Sequence, residues 1–505
     1  MLANIAGQAT QEGTARWAGA HPSVSFHRLG RTGLMVSAAG FGSYRVDASV
    51  EAHREALRHS LERGINLIDT SANYADGGSE RLIGQVLAEQ IGEGRLSREH
   101  VVIVSKAGYL QGENYRLSAE RKRAGRPFPE LVEYAEGLEH CIHPEFLEDQ
   151  LTRSLERLQL DTIDVYLLHN PEYYLNWAGS HGVSPAAARE EYLRRIEAAF
   201  RHLESEADRG RIGCYGISSN TFPSPAGFFA HTPLDAIWDI AERISPNHRF
   251  RCIQLPANLL ETGAFTERNQ RGGLTAAEFA QQHELAVLVN RPLNAYRGHR
   301  LTRLADVPES PPVGEGDVEA ALERLRELEQ ELARGVLPRA GLAAAPVEGG
   351  ELLRRWHAYG AHAVWMHSLR GRIVPAVQQA MAPLLRLAPQ HAELARWSGE
   401  YTDVMNRAFR LITLYYQQAA REEAAAIRAR AEAADADWRA AGSLSRLAVR
   451  ALRSTAGVGS VLVGMRSTAY VDDVLAELQQ PVEARDRAAS WERLRQSLDG
   501  EEGHV

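Results

Sequence analysis

Seven polar or ionisable residues stand where short apolar runs end: Asp69, Lys106, His169, Asn220, Gln254, Arg291 and Arg466. Tyr74 follows the first of them by one short loop. Suppose Asp69, Tyr74, Lys106 and His169 converge. A phenol, with a pKa near ~10, holds its proton at neutral pH and can donate it. An ammonium beside it favours the phenolate, so Lys106 would draw the Tyr74 pKa down. Asp69 would pair with Lys106 and keep it charged, and His169 would hydrogen-bond a substrate oxygen. Such a set suits proton transfer to or from an oxygen, coupled to hydride transfer at the attached carbon. No side chain supplies hydride, so a cofactor must. Asn220 and Gln254, on adjacent strands, could bind a carboxamide edge such as that of nicotinamide, and Arg466 could meet a phosphate. No GxGxxG follows the first strand, which argues against a Rossmann site.

These residues need elements that bring them to one place. Ile65, Leu67 and Ile68 open a buried strand that ends at Asp69. A helix follows over 79–90, with Ser79 as its expected N-cap. The same rhythm recurs. Strands are expected at 36–42, 101–105, 164–168, 212–217, 252–254, 285–289 and 459–463, each followed by a helical segment. Eight strand–helix units in roughly 320 residues fit a (β/α)8 TIM barrel better than an open doubly wound sheet. In such a barrel every strand's C-terminal end faces one mouth, which carries the chemistry. Core packing does not call for seven polar residues at equivalent strand ends, so a shared site is the stronger reading. Residues 26–33 read as two short strands around a Gly turn, forming a plug over one end.

Composition bounds the class. The chain has 505 residues, 44% of them hydrophobic, and a net charge of -8. That acidic balance predicts no nucleic-acid partner. Three scattered cysteines suggest a reduced, cytoplasmic protein. No apolar run is long enough to cross a membrane. Residues 1–25 are Gly/Ala-rich without an apolar core and read as a loose N-terminal leader.

The set Asp69-Thr70-Ser71 with Tyr74, Ser105-Lys106, Leu168-His169-Asn170-Pro171, Gly216-Ile217-Ser218-Ser219-Asn220 and Arg291-Pro292-Leu293 resembles the aldo-keto reductase family. The resemblance covers about 26–295 and 441–478. It implies a (β/α)8 barrel that uses NADPH to interconvert carbonyls and alcohols. It makes Asp69, Tyr74, Lys106 and His169 the catalytic tetrad. Gly42, Ser43 and Tyr44 match the first cofactor-contacting loop, and Ser219, Asn220 and Gln254 the nicotinamide carboxamide site. Arg291, Pro292 and Leu293 would line the pyrophosphate. Gly464, Met465, Arg466, Tyr470 and Asp473 match the adenosine end. There are departures. Asn290 stands where many members stack an aromatic ring on nicotinamide, and Val474 replaces a common Asn. The Lys-Ser pair of many NADPH-dependent members is absent, so Arg466 alone argues for NADP, with NAD as the alternative.

The barrel is thus expected over 26–295 and 441–480. Residues 296–440 form a large, mainly helical insertion after the seventh strand, at the catalytic mouth, and 481–505 a C-terminal helix and tail. Within the insertion, 317–334 and 351–385 read as helices. Tyr401, Met405, Phe409, Ile412 and Tyr416 form one stripe on a long helix, read as the core of a helical subdomain. Homo-oligomer contact through the insertion is a further expectation. His357, His362 and His367 do not share a helical face, and His140–His143 has poor ligand spacing, so no metal site is expected. Tyr173, Tyr174 and Trp177 are expected either to wall a substrate pocket or to pack the rim. The function expected is a carbonyl–alcohol oxidoreductase acting on an aldehyde, ketone or sugar. The alternative is a cofactor-bound regulatory or scaffold subunit with a helical interaction insert.

Overall fold

The computed structural model describes residues 4–297, 300–342 and 347–502. Two compact units emerge. One runs to Leu293 and resumes at Ala431; the other is Asn294–Arg430.

The first unit is a closed barrel of eight parallel strands. These are β1 (Ala39–Gly42), β2 (Leu67–Asp69), β3 (Val102–Ala107), β4 (Ile163–His169), β5 (Ile212–Ser218), β6 (Phe250–Pro256), β7 (Ala286–Asn290) and β8 (Val458–Gly464). Each pairs with the next in sequence, and β8 closes on β1, with Gly464 beside Gly42. A helix follows each strand in turn: α1 (Glu51–Glu62), α2 (Gly78–Gly92), α3 (Pro144–Leu158), α4 (Pro185–Asp208), α5 (Leu234–Ile244), α6 (Ala276–Gln282), α7 (Leu444–Arg453) and α8 (Thr468–Leu478). The (β/α)8 expectation therefore holds, as does the break in the rhythm after the seventh strand.

The two-residue period of a strand decides what faces inward. The interior packs Leu67, Val102 and Val104, Val165 and Leu167, Cys214, Cys252, Ala286 and Leu288 into one apolar cluster. Two residues further along the same faces come Asp69, Lys106, His169, Gln254 and Asn290. Ser218 ends β5 two residues beyond Gly216, which likewise follows Cys214 by two. An apolar floor thus passes into a polar upper layer by strand register alone.

The lower end is closed by a hairpin, Phe26–Arg28 with Met35–Ser37. Leu29, Leu34 and Val36 join the interior cluster. Gly30, at φ +51, comes so close to the start of β7 that a Cβ would lie 2.5 Å from the Ala286 nitrogen. Only glycine suits both demands. The expected plug is present, but the first barrel strand begins at Ala39, because the residues before it turn back into the hairpin.

Two local expectations are corrected. The N-terminal segment is not loose. Gln11–Ala20 is a helix capped by Thr10, Trp17 donates its indole N–H to the Gly64 carbonyl at 3.1 Å, and Ala9 N–H reaches Asp164 at 2.7 Å. The lone tryptophan supplies the apolar anchor in a stretch otherwise rich in small residues. Second, Ser79 is not the N-cap of α2. Gly77 holds that position at φ 79, and the Ser79 hydroxyl instead donates to Ser43 at 2.7 Å.

The excursion between β3 and α3 is ordered. It holds a helix, Gly112–Arg123, and a small antiparallel sheet of Tyr109–Leu110, Leu138–His140 and Val132–Ala135. At the other end of the chain, the helix Ala488–Glu502 stacks Trp491 on Phe265 with ring centroids 4.6 Å apart.

The second unit is mainly helical and, among the described residues, also holds an antiparallel strand pair, Asn294–Arg297 with Arg300–Arg303. Its helices include Glu315–Glu331, His362–Ser368, Val374–Leu387 and the 43-residue Ala392–Ala434. The expected helix over 351–385 is interrupted around Tyr359 and Gly360, where Gly360 takes φ 65. The aromatic stripe is core: Tyr401, Met405, Ile412 and Tyr416 are buried and Phe409 packs against them. Among the described residues, no helix is long and apolar enough to cross a membrane.

Candidate active site

The barrel brings the four expected catalytic residues together. Lys106, fully buried, places its ammonium 2.8 Å from both carboxylate oxygens of Asp69. The same nitrogen donates to the Thr70 carbonyl at 2.7 Å and to the Tyr74 hydroxyl at 3.4 Å. The Tyr74 and His169 rings meet edge to face at 6.0 Å. The second partner of the Asp69 carboxylate is unexpected. Gln254 donates its amide to Asp69 Oδ1 at 2.7 Å, and its own carbonyl accepts from Ser218 and Asn290 at 3.0 and 3.3 Å. Gln254 is thus turned into the barrel, where its register puts it, and is engaged at both ends.

Burial governs the charges. It raises the Asp69 carboxyl and lowers the Lys106 ammonium, and each partner offsets the other's cost. The Tyr74 hydroxyl is pushed well above the ordinary phenol value, by burial first and then by the Asp69 charge. The expected lowering by Lys106 is therefore overturned: Asp69 neutralises the ammonium at close range, and little net positive charge is left to favour phenolate. His169 is held well below the usual imidazole range by burial and by Lys106, so it is neutral at pH 7. Its Nδ1 lies 3.0 Å from the Ser71 hydroxyl.

The remaining site residues divide by position. At the end of β1, Ser43 donates N–H and hydroxyl to the Asp69 carbonyl at 3.0 and 2.7 Å. Tyr44 is 62% exposed and sets its ring edge against Tyr74 at 5.3 Å. Beyond β5, Ser219 is buried and its hydroxyl meets Thr232 at 2.9 Å, whereas Asn220 is exposed. Beyond β7, Arg291 adopts φ 55 and pairs with Glu261 at 3.1 Å; Pro292 is buried and Leu293 partly so. At the end of β8, Met465 is buried and Arg466 and Tyr470 are accessible. Asp473 is tied to Ser445 and Arg446, each at 2.8 Å, and so belongs to the packing of α7 on α8.

Several residues were not legible as site residues. Ser71 links His169 to the Tyr74 loop. Glu172 is buried, accepts the Asn220 N–H at 2.8 Å and carries a second oxygen without a hydrogen-bond partner. Its carboxyl is pushed up to about 7 by burial. Tyr109 packs edge-on to His169 at 4.7 Å, Tyr173 to Tyr109 at 5.0 Å, and Tyr134 lies on Tyr173 at 4.5 Å. Tyr173 thus belongs to an aromatic wall. Tyr174 instead lies under Arg195 at 4.1 Å, and Trp177 stacks on His181. The signals were present in part: Glu172 follows the His169-Asn170-Pro171 run, and Tyr109 follows Lys106 by three. His140 donates to the His169 carbonyl at 2.8 Å, which gives it a supporting place.

The mouth contains features that suit a nicotinamide dinucleotide. Asn290 Oδ1 is buried without a hydrogen-bond partner, and the Asn220 amide is exposed. Gly464 leaves open space where a Cβ would stand, so a ligand can approach the backbone closely. Arg466, two residues on, has a partly exposed cationic side chain at the strand end.

A sequence profile of the Aldo/keto reductase family matches residues 38–295. The NADH-specific methylglyoxal reductase of Escherichia coli (strain K12) is 29% identical over 190 residues, covering 34% of this chain and 50% of that protein. L-galactose dehydrogenase of Arabidopsis thaliana is 30% identical over 232 residues, covering 44% and 53%. Among solved structures, the holo form of an aldo-keto reductase from Bacillus halodurans aligns with a TM-score of 0.45 and 17% identity, over 93% of this chain and 96% of that one. The chain spans about half the length of the curated relatives it matches. The matched segment holds Asp69, Tyr74, Lys106 and His169, and on that match the chain belongs to the aldo/keto reductase family.

Proposed function

We propose that this protein is an NAD(P)H-dependent reductase that interconverts a small carbonyl compound, an aldehyde, ketone or sugar, with its alcohol. The observation that carries the reading is the contact of Lys106 with both Asp69 and the Tyr74 hydroxyl. A buried ammonium–carboxylate pair is costly to build. Aimed at a phenol in the mouth of a barrel, it has a use that packing alone does not supply.

Asn290, Asn220, Gly464 and Arg466 would hold the cofactor, NADPH, with NADH as the alternative donor. When bound, the dihydronicotinamide supplies hydride to the carbonyl carbon. The chain's own residues manage the oxygen. Held through Nδ1 by the Ser71 hydroxyl, the His169 ring limits the directions from which the substrate oxygen reaches Tyr74. Tyr74, kept protonated by its surroundings, delivers the hydroxyl proton to that oxygen as alkoxide character develops. Lys106 donates a hydrogen bond to the Tyr74 oxygen and so fixes its place, and Asp69, braced by Gln254, holds Lys106 there. In oxidation the same groups run in reverse. Tyr109, Tyr173 and Tyr134 form the wall on the substrate side.

Similarity to a methylglyoxal reductase and a sugar dehydrogenase supports small oxygenated carbonyls as the substrate class. The test is a panel of aldehydes, ketones and aldoses followed by NADPH and NADH absorbance. Turnover of at least one class supports the reading. A flat trace across the panel, with cofactor binding shown by fluorescence, would reject it.

A further inference from the structure

Tyr74 is followed by two residues, Ala75 at φ 50 and Asp76 at φ 52, that both occupy the left-handed region without being glycine. Such a turn is strained and persists only where its surroundings over-determine it. Here both of its ends are bound to one helical turn of the excursion between β3 and α3. On one side, Asn73 donates its amide to the Gln111 side chain at 3.0 Å. On the other, both Asp76 carboxylate oxygens accept the Glu113 backbone N–H, at 2.9 and 3.2 Å.

Gln111 is the N-cap residue of the helix Gly112–Arg123, yet its own side chain makes no capping bond. Asp76 supplies the cap from another loop, and a carboxylate there also suits the positive end of the helix dipole. Gly112 makes the approach feasible: a Cβ at that position would lie 2.3 Å from Asp76 Oδ1. Arg81 holds the Asp76 carbonyl at 2.7 Å, and Arg116 stands 3.7 Å from its carboxylate. Inward, the strap continues, because Ser71 donates to Asn73 at 2.7 Å and touches His169 at 3.0 Å.

We propose that Asp76 is a positioning residue for Tyr74: its carboxylate clamps the Tyr74 turn to the excursion helix and so fixes the hydroxyl against Lys106. The inference rests on the reading of Tyr74 as proton donor. It gives the excursion a role in the reaction, as the anchor of the general acid rather than a surface ornament. Asp76 touches no substrate and acts only through Tyr74.

The clamp can be cut from either side. Asp76→Ala removes the acceptor, and Gly112→Ala blocks its approach from the helix. Asp76→Asn keeps one acceptor oxygen and tolerates the left-handed backbone. The full chain, labelled with 3-fluorotyrosine, gives a 19F line for Tyr74 that is assigned by its loss in Tyr74→Phe. Both cutting variants should shift or broaden that line, and Asp76→Asn should restore it. In turnover, kcat should fall by about 10²-fold in the cutting variants, as misplacement of a reacting group by about 1 Å can cost. KM and the NADPH Kd should stay within about twofold. In the Tyr74→Phe background Asp76→Ala should add almost nothing, because the two act as one unit. An unmoved Tyr74 line in both cutting variants overturns the proposal, as does a kcat loss undiminished in the Tyr74→Phe background. A wild-type protein that reduces no carbonyl would instead overturn the proposed function, and the 19F line would still decide the clamp.

Discussion

Gln254 reaches across the barrel interior to Asp69, 185 positions earlier in the chain, and donates its amide to Oδ1 at 2.7 Å. The bond gives the buried carboxylate a second donor beside Lys106. It follows from register, since both residues occupy inward positions of their strands. Gln254→Leu would leave a buried carboxylate oxygen short of a donor and strand the Ser218 hydroxyl. The expected cost is about 1–3 kcal/mol of folding stability, the usual penalty for an unsatisfied buried polar group. Urea denaturation of the two proteins checks it. A variant as stable as wild type would show that water replaces the amide.

Glu172 predicts a pH dependence of stability. Burial pushes its carboxyl up to about 7, above the ordinary value of 4.5. The folded state thus holds this proton more tightly than the unfolded chain. Its contribution is fully present below about pH 4.5 and is lost as pH rises through about 7. Glu172→Gln keeps the acceptor for Asn220 and removes the titration. Relative to wild type, the variant should gain stability between pH 5 and pH 8, by at most about 3 kcal/mol. Denaturation at those two pH values measures the gain. An equal difference between the two proteins at both pH values would rule out titration of Glu172 in that range.

The aromatic wall predicts a shift in substrate preference. Tyr134 is 41% exposed at the outer end of a run of rings that leads through Tyr173 and Tyr109 to His169. Tyr173→Ala should raise KM for a large or ring-bearing carbonyl by about 10-fold, the scale of one lost aromatic contact. A two- or three-carbon aldehyde should be little affected. Steady-state kinetics on both substrates decide it, and equal losses on the two would place Tyr173 outside the substrate's reach.

The insertion carries its own core. Leu325, Trp356, Trp365, Tyr401, Met405 and Ile412 pack together within Asn294–Arg430, while the barrel interior is built entirely from the other unit. Replacing Asn294–Arg430 by a short linker should therefore leave a barrel that folds cooperatively. Circular dichroism and thermal unfolding would show it. A chain that fails to fold would mean that the barrel depends on the insertion.

Much of the barrel was legible because its signals are local. Apolar runs ending in polar residues gave all eight strands, and alternation of strand with helix gave the closed topology. The period of two then carries Asp69, Lys106 and His169 inward from a floor of valines and leucines. What was not legible depends on partners distant in sequence. Gln254 reads as a ligand-facing amide until Asp69 is seen opposite it. Asp473 reads as an adenosine contact until Ser445 and Arg446 close on it. The Tyr74 pKa follows the same rule: its direction is set by burial and then by the charge of Asp69 at the strand end. The excursion between β3 and α3 gives no strand signal, because its strands are only two to four residues long, too short for periodicity to register.

The central claim is that Tyr74 is the proton donor, and Tyr74→Phe tests it most directly. The substitution keeps the ring that packs against Tyr44 and His169 and removes only the hydroxyl that Lys106 contacts. The measurement is the single-turnover rate of carbonyl reduction at saturating NADPH, with cofactor affinity followed in parallel by fluorescence. The rate should fall by about 10²–10⁴-fold, the usual contribution of general acid catalysis, while NADPH affinity is unchanged. A Tyr74→Phe protein that reduces its substrate at the wild-type single-turnover rate would contradict the account.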